Sequence, residues 1–370
     1  MPQFLTRAAR LRHFRLLGVL AGVIVASMAV AASLAVASST KSSARAITSH
    51  SRAAAATSRP ASLKKGLKAF VIPKQLGNNY FTVADSVKSG GALAAYKALG
   101  ETATETSGSS ATAASQLPAI QSSLSKGANI LEVSASDPTA LCPTLKSAMA
   151  RGVTVVTYDS DAPTCRELMV APASAQTIGA SEVDVLAKEL HDRGQIAIVS
   201  AEASATNQNQ WIGYMKQELK KYPKMSLVSI VYGNDDPTTA TQVTSGLLQH
   251  YPKLAGIISP TTVGILAAAS VLDTKQYRGK IQLTGLGTPL SMKKFVDDGT
   301  VKAFELWNPA ELGNVAAYAA VDLASKTLTA KPGHSFTAGK FGKFTIGSDD
   351  IVDLGPLVVF NKANIAKFHF

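Results

Sequence analysis

The chain is predicted to be an α/β protein of two lobes, each a doubly wound and mostly parallel sheet, with a ligand cleft between them. Three observations predict this. From residue 68 onward, short apolar, β-branched runs alternate with longer amphipathic stretches, the pattern of repeated β-α units. Six of the runs stop abruptly at polar or aromatic clusters. The 370 residues, 46% hydrophobic and 17% charged, suffice for about two domains with real cores.

The six clusters follow runs 69–73, 130–133, 153–157, 196–200, 256–259 and 281–284. They are Lys74 with Asn78, Asn79, Tyr80 and Phe81; Ser134, Ser136 and Asp137; Tyr158-Asp159-Ser160-Asp161; Thr206-Asn207-Gln208-Asn209-Gln210-Trp211; Pro260-Thr261-Thr262; and Gly285-Leu286-Gly287. In open α/β sheets ligands bind beyond the carboxyl ends of the strands. Clusters on two separate strand sets therefore outline a cleft lined from both sides.

Between the strands, helices are expected over 80–99 (closed by Gly100), 115–126 (closed by Gly127) and 138–151, which has Pro138 in its first turn and Gly152 past its end. Further helices are expected over 174–193, 209–221, 238–250, 263–272, 289–298 and 309–329. Strands this short and apolar fit sheets covered on both faces. About four β-α units precede a second set starting near Ile196, and run 169–173 reads as a bridge between lobes. The tail holds two short strand-like runs, 342–346 and 357–360.

Residues 1–37 read as an export signal. Arg7, Arg10, Arg12 and Arg15 precede an uncharged apolar stretch, 16–37, that ends in Ala35-Val36-Ala37, a small-residue cleavage site. The same stretch is long enough to remain as an uncleaved anchor. Residues 38–67, rich in Ser, Ala and scattered basic residues, read as a flexible linker. The net charge of +12 belongs to this region. Eleven of the 37 Lys and Arg fall in residues 1–68, which hold no Asp or Glu, so residues 69–370 carry 26 basic against 25 acidic side chains. A nearly neutral folded part argues against a nucleic-acid partner.

Cys142 and Cys165 are expected to pair as a disulfide, because helix starts and strand ends share one edge of a parallel sheet and export leads to an oxidising compartment. No phosphate-binding loop, H-E-x-x-H or G-x-S-x-G motif is present, and the six His are scattered. Catalytic residues, metal ligands and cofactors are therefore not expected.

The clusters suit a polyhydroxylated small molecule. Asp159 and Asp161 offer carboxylates, which accept paired hydrogen bonds from vicinal hydroxyls; the plainer role of Asp at a strand end is a turn or cap. Lys74 is a donor or a rim lysine. Asn207, Gln208 and Asn209 combine donors with acceptors, though Asn also caps helices. Tyr80, Phe81, Trp211 and Trp307 offer flat faces to the C–H side of a sugar ring or to a 6-deoxy methyl, or simply fill the core. Pro260, Thr261 and Thr262 offer backbone and hydroxyl groups. Asn79, Ser134, Asp137, Gly287 and Asn308 complete the candidate set.

Taken together, Val71-Ile72-Pro73-Lys74, Leu141-Cys142-Pro143-x-Leu145-Lys146, Tyr158-Asp159-Ser160-Asp161, Thr206–Trp211, Ser259-Pro260, Val301-Lys302-Ala303-Phe304, Leu306-Trp307-Asn308-Pro309 and Phe360-Asn361-Lys362-x-Asn364-Ile365 carry a resemblance. Over residues 68–370 the chain resembles type I periplasmic sugar-binding proteins, the ligand-capturing subunits of ATP-driven importers. It looks most like the branch of rhamnose-binding proteins and autoinducer-2 receptors. The resemblance implies one lobe from 68–172 and 308–332, and a second from 173–307, with 333–370 in the second lobe and the hinge. Ligand would close the lobes by hinge motion. A small sugar and a membrane ABC permease are the implied partners of an exported monomer.

L-rhamnose or a related deoxyhexose is the ligand implied first. The alternatives are autoinducer-2 and a membrane-tethered, sugar-sensing receptor domain. Autoinducer-2 receptors of this type use a Lys, an Asp, an Asp-Gln pair and a Pro-x-Ala segment. Lys74, Asp159, Gln208 and Pro260 match, whereas Asn207 and Thr262 stand where Asp and Ala are expected.

Overall fold

The computed structural model describes residues 62–370, so the expected export signal and most of the expected linker lie outside the described residues. The first run of elements is β1 (Lys68–Ile72), α1 (Asn79–Asp85), α2 (Ala92–Leu99), β2 (Thr102–Glu105), α3 (Ala113–Ser125), β3 (Ile130–Val133), α4 (Pro138–Ala150), β4 (Thr154–Tyr158) and β5 (Leu168–Ala171). The second is α5 (Ala175–Leu190), β6 (Arg193–Ser200), α6 (Thr206–Glu218), β7 (Lys224–Tyr232), α7 (Pro237–His250), β8 (Leu254–Ser259), α8 (Thr262–Leu272), β9 (Gln282–Gly285), α9 (Pro289–Asp297) and β10 (Ala303–Leu306). Then follow α10 (Pro309–Ala324), β11 (Ser335–Thr337), β12 (Lys343–Thr345), β13 (Ile351–Asp353) and β14 (Val358–Asn361).

Two parallel sheets result. The first has six strands in the order β13-β5-β4-β3-β1-β2, and the second has four in the order β7-β6-β8-β9. Helix α10 returns to the first sheet, packing on α1, α2 and β3 to β5, while α5 packs on β8, β9 and α6. The α/β class with doubly wound parallel sheets is as the sequence predicts.

Three expectations need correction. The single helix over 80–99 is two, α1 and α2. The chain turns at Gly90, in the left-handed region at φ +83°, and at Gly91 it passes so close to α1 that a Cβ would lie 1.9 Å from the Ala84 carbonyl oxygen. Gly313 of α10 presses on that same carbonyl, where its Cβ would lie at 2.2 Å. Only glycine lets three segments meet there.

Run 169–173 is not a free bridge. Its residues Met169–Ala171 lie in β5, paired in parallel with β4 on one side and β13 on the other. The tail is also not confined to the second lobe and the hinge. It supplies β13 as the edge of the first sheet and the β11–β12 hairpin beside α10, and then pairs β14 with β10. Its apolar residues are too few and too short-spaced to show three destinations.

Cys142 and Cys165 form the expected disulfide, with Cα atoms 5.3 Å apart, tying α4 to the loop beyond β4. By restricting the unfolded chain, such a closure contributes about 3 kcal/mol.

The first sheet buries ionisable groups that no apolar-run reading would place in a core. On β3, Glu132 is fully buried and accepts a hydrogen bond from the Tyr96 hydroxyl at 2.8 Å. Tyr158, on β4, donates to Asp85 Oδ2 at 3.0 Å. Burial pushes the Glu132 carboxyl up to about 8, against an ordinary 4.5. Burial, with the charges of Glu105 and Glu132, raises Asp85 well above its ordinary range.

A carboxyl raised in the folded state favours folding fully below its unfolded pKa, and that stability drains away as pH rises through the folded value. Between about pH 4.5 and 8, therefore, Glu132 makes the protein less stable with rising pH. Glu189, Glu202 and Glu305, each pushed to about 7 chiefly by burial, act in the same direction. Urea midpoints are expected to be higher at pH 5 than at pH 8. Glu132→Gln, which keeps an acceptor for Tyr96, is expected to flatten that slope.

Candidate functional site

Both sheets reverse their strand order at one place: between β1 and β3 in the first, and between β6 and β8 in the second. At such a switch point the loops leave in opposite directions and open a crevice at the strand ends. The loops after β1 and β4 bring Lys74 and Asp159; those after β6 and β8 bring Asn207, Gln208 and Pro260–Thr262. These residues line one cleft.

Lys74 is the organising charge. Its side chain is 4% exposed, and its Nζ lies 3.8 Å from Asp159 Oδ2 and donates to Asn207 Oδ1 at 3.2 Å. Asp159 adopts a left-handed backbone (φ 61°), turning its carboxylate back over the strand end, where Ser134 Oγ donates to Oδ2 at 2.8 Å. Asn207 Oδ1 also accepts from the Gln208 backbone N–H at 2.8 Å, and among the described residues its Nδ2 has no hydrogen-bond acceptor. Gln208 is committed on both ends: its Oε1 accepts from Ser200 Oγ at 3.0 Å, and its Nε2 donates to the Pro260 carbonyl. It fixes the walls of the cleft and leaves Asn207 to offer an amide to a ligand.

An aromatic wall closes one side. Trp307 packs edge-to-face on Tyr80 and Trp211, with ring centres 5.9 and 6.1 Å away, and Tyr80 packs on Phe81 at 5.0 Å. Trp307 Nε1 donates to the Tyr80 hydroxyl at 2.9 Å. Burial, then the nearby Asp159 charge, raises that hydroxyl well above its ordinary range. All four rings are 3–5% exposed, so they fill the core while also lining the cleft.

One lining residue, Asp235, escapes the sequence reading; Leu286 lies in the Gly285-Leu286-Gly287 cluster and Leu306 in the Leu306-Trp307-Asn308-Pro309 segment, though neither is in the candidate set. Asp235 follows β7, a strand whose Ser and Lys residues hide its apolar character. The signal was the polar stretch Asn234-Asp235-Asp236 behind it. Thr261 Oγ1 donates to its Oδ1, and burial raises its carboxyl while Lys74 pulls it back down. Beside it, burial and the Asp235 charge push Glu202 up to about 7, against the pull of Lys74. Asn78 also lines the cleft, capping α1 through its Oδ1.

Seven candidates do not line this cleft, and each has a structural task instead. Ser134 stands behind Asp159. Asp137 and Asn308 cap α4 and α10. Asp161 pairs with Arg166 at 3.0 Å, and Asn209 donates to the Ala203 carbonyl at 2.8 Å. Asn79 reaches Ser291 at 3.4 Å. Gly287 packs so tightly that its Cβ would meet Met292 at 2.7 Å. Caps and ligand groups use the same residue types at the same strand ends, and spacing does not separate them.

Hydrogen bonds span the cleft. Besides Lys74–Asn207, Gln75 Nε2 donates to the Asp235 carbonyl at 3.0 Å, and Thr262 Oγ1 reaches Asn78 Oδ1 at 3.4 Å. The arrangement offers a carboxylate, an ammonium, an amide and a flat apolar wall in one cleft, which can hold a polyhydroxylated ring. Among the described residues no group of acids, His and Cys is placed to bind a metal.

Two parallel sheets with facing switch points and a polar cleft between them define a type I periplasmic binding protein. The periplasmic binding protein domain family matches residues 69–328, and the chain belongs to it. It is similar to a sugar ABC transporter protein from Actinomyces odontolyticus, with 42% identity over 82% of this chain and 98% of that one, and a TM-score of 0.65. It is also similar to an ABC transporter solute-binding protein from Clostridium phytofermentas solved with bound L-rhamnose, with 33% identity over 82% and 98% and a TM-score of 0.77. A third is LsrB from Clostridium saccharobutylicum in complex with AI-2, with 25% identity over 82% and 100% and a TM-score of 0.76. The chain is thus a member of the sugar ABC transporter solute-binding proteins.

Proposed function

We propose that this chain captures L-rhamnose or a related deoxyhexose outside the cytoplasmic membrane and delivers it to an ABC permease, without chemical change. The observation that carries the proposal is the Lys74–Asn207 bond joining the polar groups of the two sheets across the cleft. A ring held between Asp159 on one side and Asn207 and Asp235 on the other binds best when both sides close on it. Ligand then shifts the population toward the closed state, which the permease is to distinguish from the open one. Leu286, Leu306 and the aromatic wall suit a 6-deoxy methyl. L-rhamnose is the ligand of the 33% identical relative. Lining residues Lys74, Tyr80, Phe81, Asp159, Asn207, Trp211, Pro260–Thr262 and Trp307 form the proposed binding set.

A second reading, capture of autoinducer-2, draws on Lys74, Asp159, Gln208 and Pro260, which match those receptors, and on the LsrB likeness. Here Asn207 replaces a carboxylate while Asp235 supplies one from another loop, which changes the hydroxyls that can be held. A thermal-shift screen of monosaccharides and the borate-free autoinducer-2 precursor separates the two. At 100-fold excess over Kd a ligand adds about 2.7 kcal/mol, a rise of roughly 5 °C or more. The rise is expected with L-rhamnose; a rise with the precursor alone would transfer the chain to the second reading.

A further inference from the structure

Beside the small cleft lies a larger chamber. About 870 Å³ in volume, it lies between the loop beyond β4, the start of α6 and the tail around 347–353. Asp159, Asn207 and Trp211 line both spaces, so the two adjoin along these side chains. The margins of the cleft differ. On the side away from the chamber, Gln75–Asp235, Asn78–Thr262 and Asn79–Ser291 bonds join the two sheets' loops. On the chamber side, none of the hydrogen bonds between described residues crosses from the 159–171 and 347–353 segments to α6. Arg166 instead ties Asp161 to the Asp349 and Asp350 carbonyls on its own side of the gap.

The latched side also adjoins a space, of about 490 Å³, at Asn78, Asp235 and Thr262. The three cross-cleft bonds stand between that space and a ring held by Asp159 and Asn207, whereas a substituent directed toward the chamber breaks no such bond. The chamber wall fits a sugar or glycosyl substituent. Tyr214 and the shared Trp211 provide rings, and Thr206 Oγ1 is buried without a hydrogen-bond partner. We infer that the ligand class of this protein extends beyond a free monosaccharide to glycosides and short oligosaccharides, with the second unit seated in this chamber.

The inference rests on the sugar-binding reading above, and one experiment separates the two. Calorimetry on the full chain compares L-rhamnose, methyl α-L-rhamnoside, and the 1→2, 1→3 and 1→4 linked rhamnobioses. At least one substituted ligand is expected to bind within threefold of the free sugar, or tighter. Ser348→Trp, an exposed chamber position that does not line the small cleft, is expected to weaken that ligand at least tenfold and leave L-rhamnose within twofold. L-rhamnose binding with every substituted ligand more than thirtyfold weaker overturns the chamber inference and leaves the sugar reading standing. So does equal weakening of both ligand types by Ser348→Trp. Silence from every ligand overturns both.

Discussion

Asp159→Ala is expected to weaken sugar binding by 100-fold or more and to destabilise the protein at the same time. In the proposed function the carboxylate is the acceptor that ligand hydroxyls would meet from the first sheet, and hydrogen bonds to charged groups are worth about 1.5–3 kcal/mol each. It is also the counter-charge of Lys74, whose side chain is 4% exposed. Removing one partner of a buried pair costs about 3–5 kcal/mol because the other charge is stranded. Asn207 Oδ1, still accepting from Lys74, places the loss at the low end of that range. Asp159→Asn isolates the charge, since Asn tolerates the left-handed backbone that Asp159 adopts at φ 61°. It is expected to fold nearly as well and to bind at least tenfold more weakly. Titration calorimetry with urea midpoints checks both effects.

Trp307→Ala carries the second large effect. Trp307 lies in the connection from β10 back to the first sheet, is 4% exposed, and fills the space between Tyr80 and Trp211. Truncating a buried Trp costs about 3–5 kcal/mol through the lost burial and the cavity left behind. Because the cavity opens at the crossing between lobes, sugar affinity is expected to fall with stability. Trp307→Phe keeps a ring but removes the N–H that the Tyr80 hydroxyl accepts, leaving that hydroxyl its interaction with Asp159; this is expected to cost about 1 kcal/mol and a smaller loss of affinity. Trp211 and Trp307 are the two Trp of the chain and both line the cleft, so intrinsic fluorescence reads ligand binding and cavity formation in one titration.

What was legible follows from which physics leaves a local mark. Apolar strands ending in polar clusters placed Lys74, Asp159, Asn207 and Thr261 at strand ends, and the order of a parallel sheet carried them to one cleft. Asp235 was hidden because β7 reads Lys224–Tyr232 with Ser and Lys interleaved, on the outer edge of its sheet, where one face is less covered. Glu132 and Asp85 were hidden for a different reason. A buried acid is stabilised by hydrogen-bond partners, Tyr96 and Tyr158, that are distant along the chain. Asp137, Asn308 and Asp161 looked like ligand groups because capping and ion pairing draw on the same short polar side chains. The split of the 80–99 helix turned on Gly91, whose need is visible only when Ala84 arrives beside it.

Calorimetric titration of the full chain with L-rhamnose tests the central claim, that the cleft between the two sheets is a sugar site, most directly. The account predicts saturable one-to-one binding at micromolar or tighter affinity, about −8 kcal/mol or better, reduced at least 100-fold in Asp159→Ala. No heat at millimolar sugar, or wild-type affinity in Asp159→Ala, would contradict it.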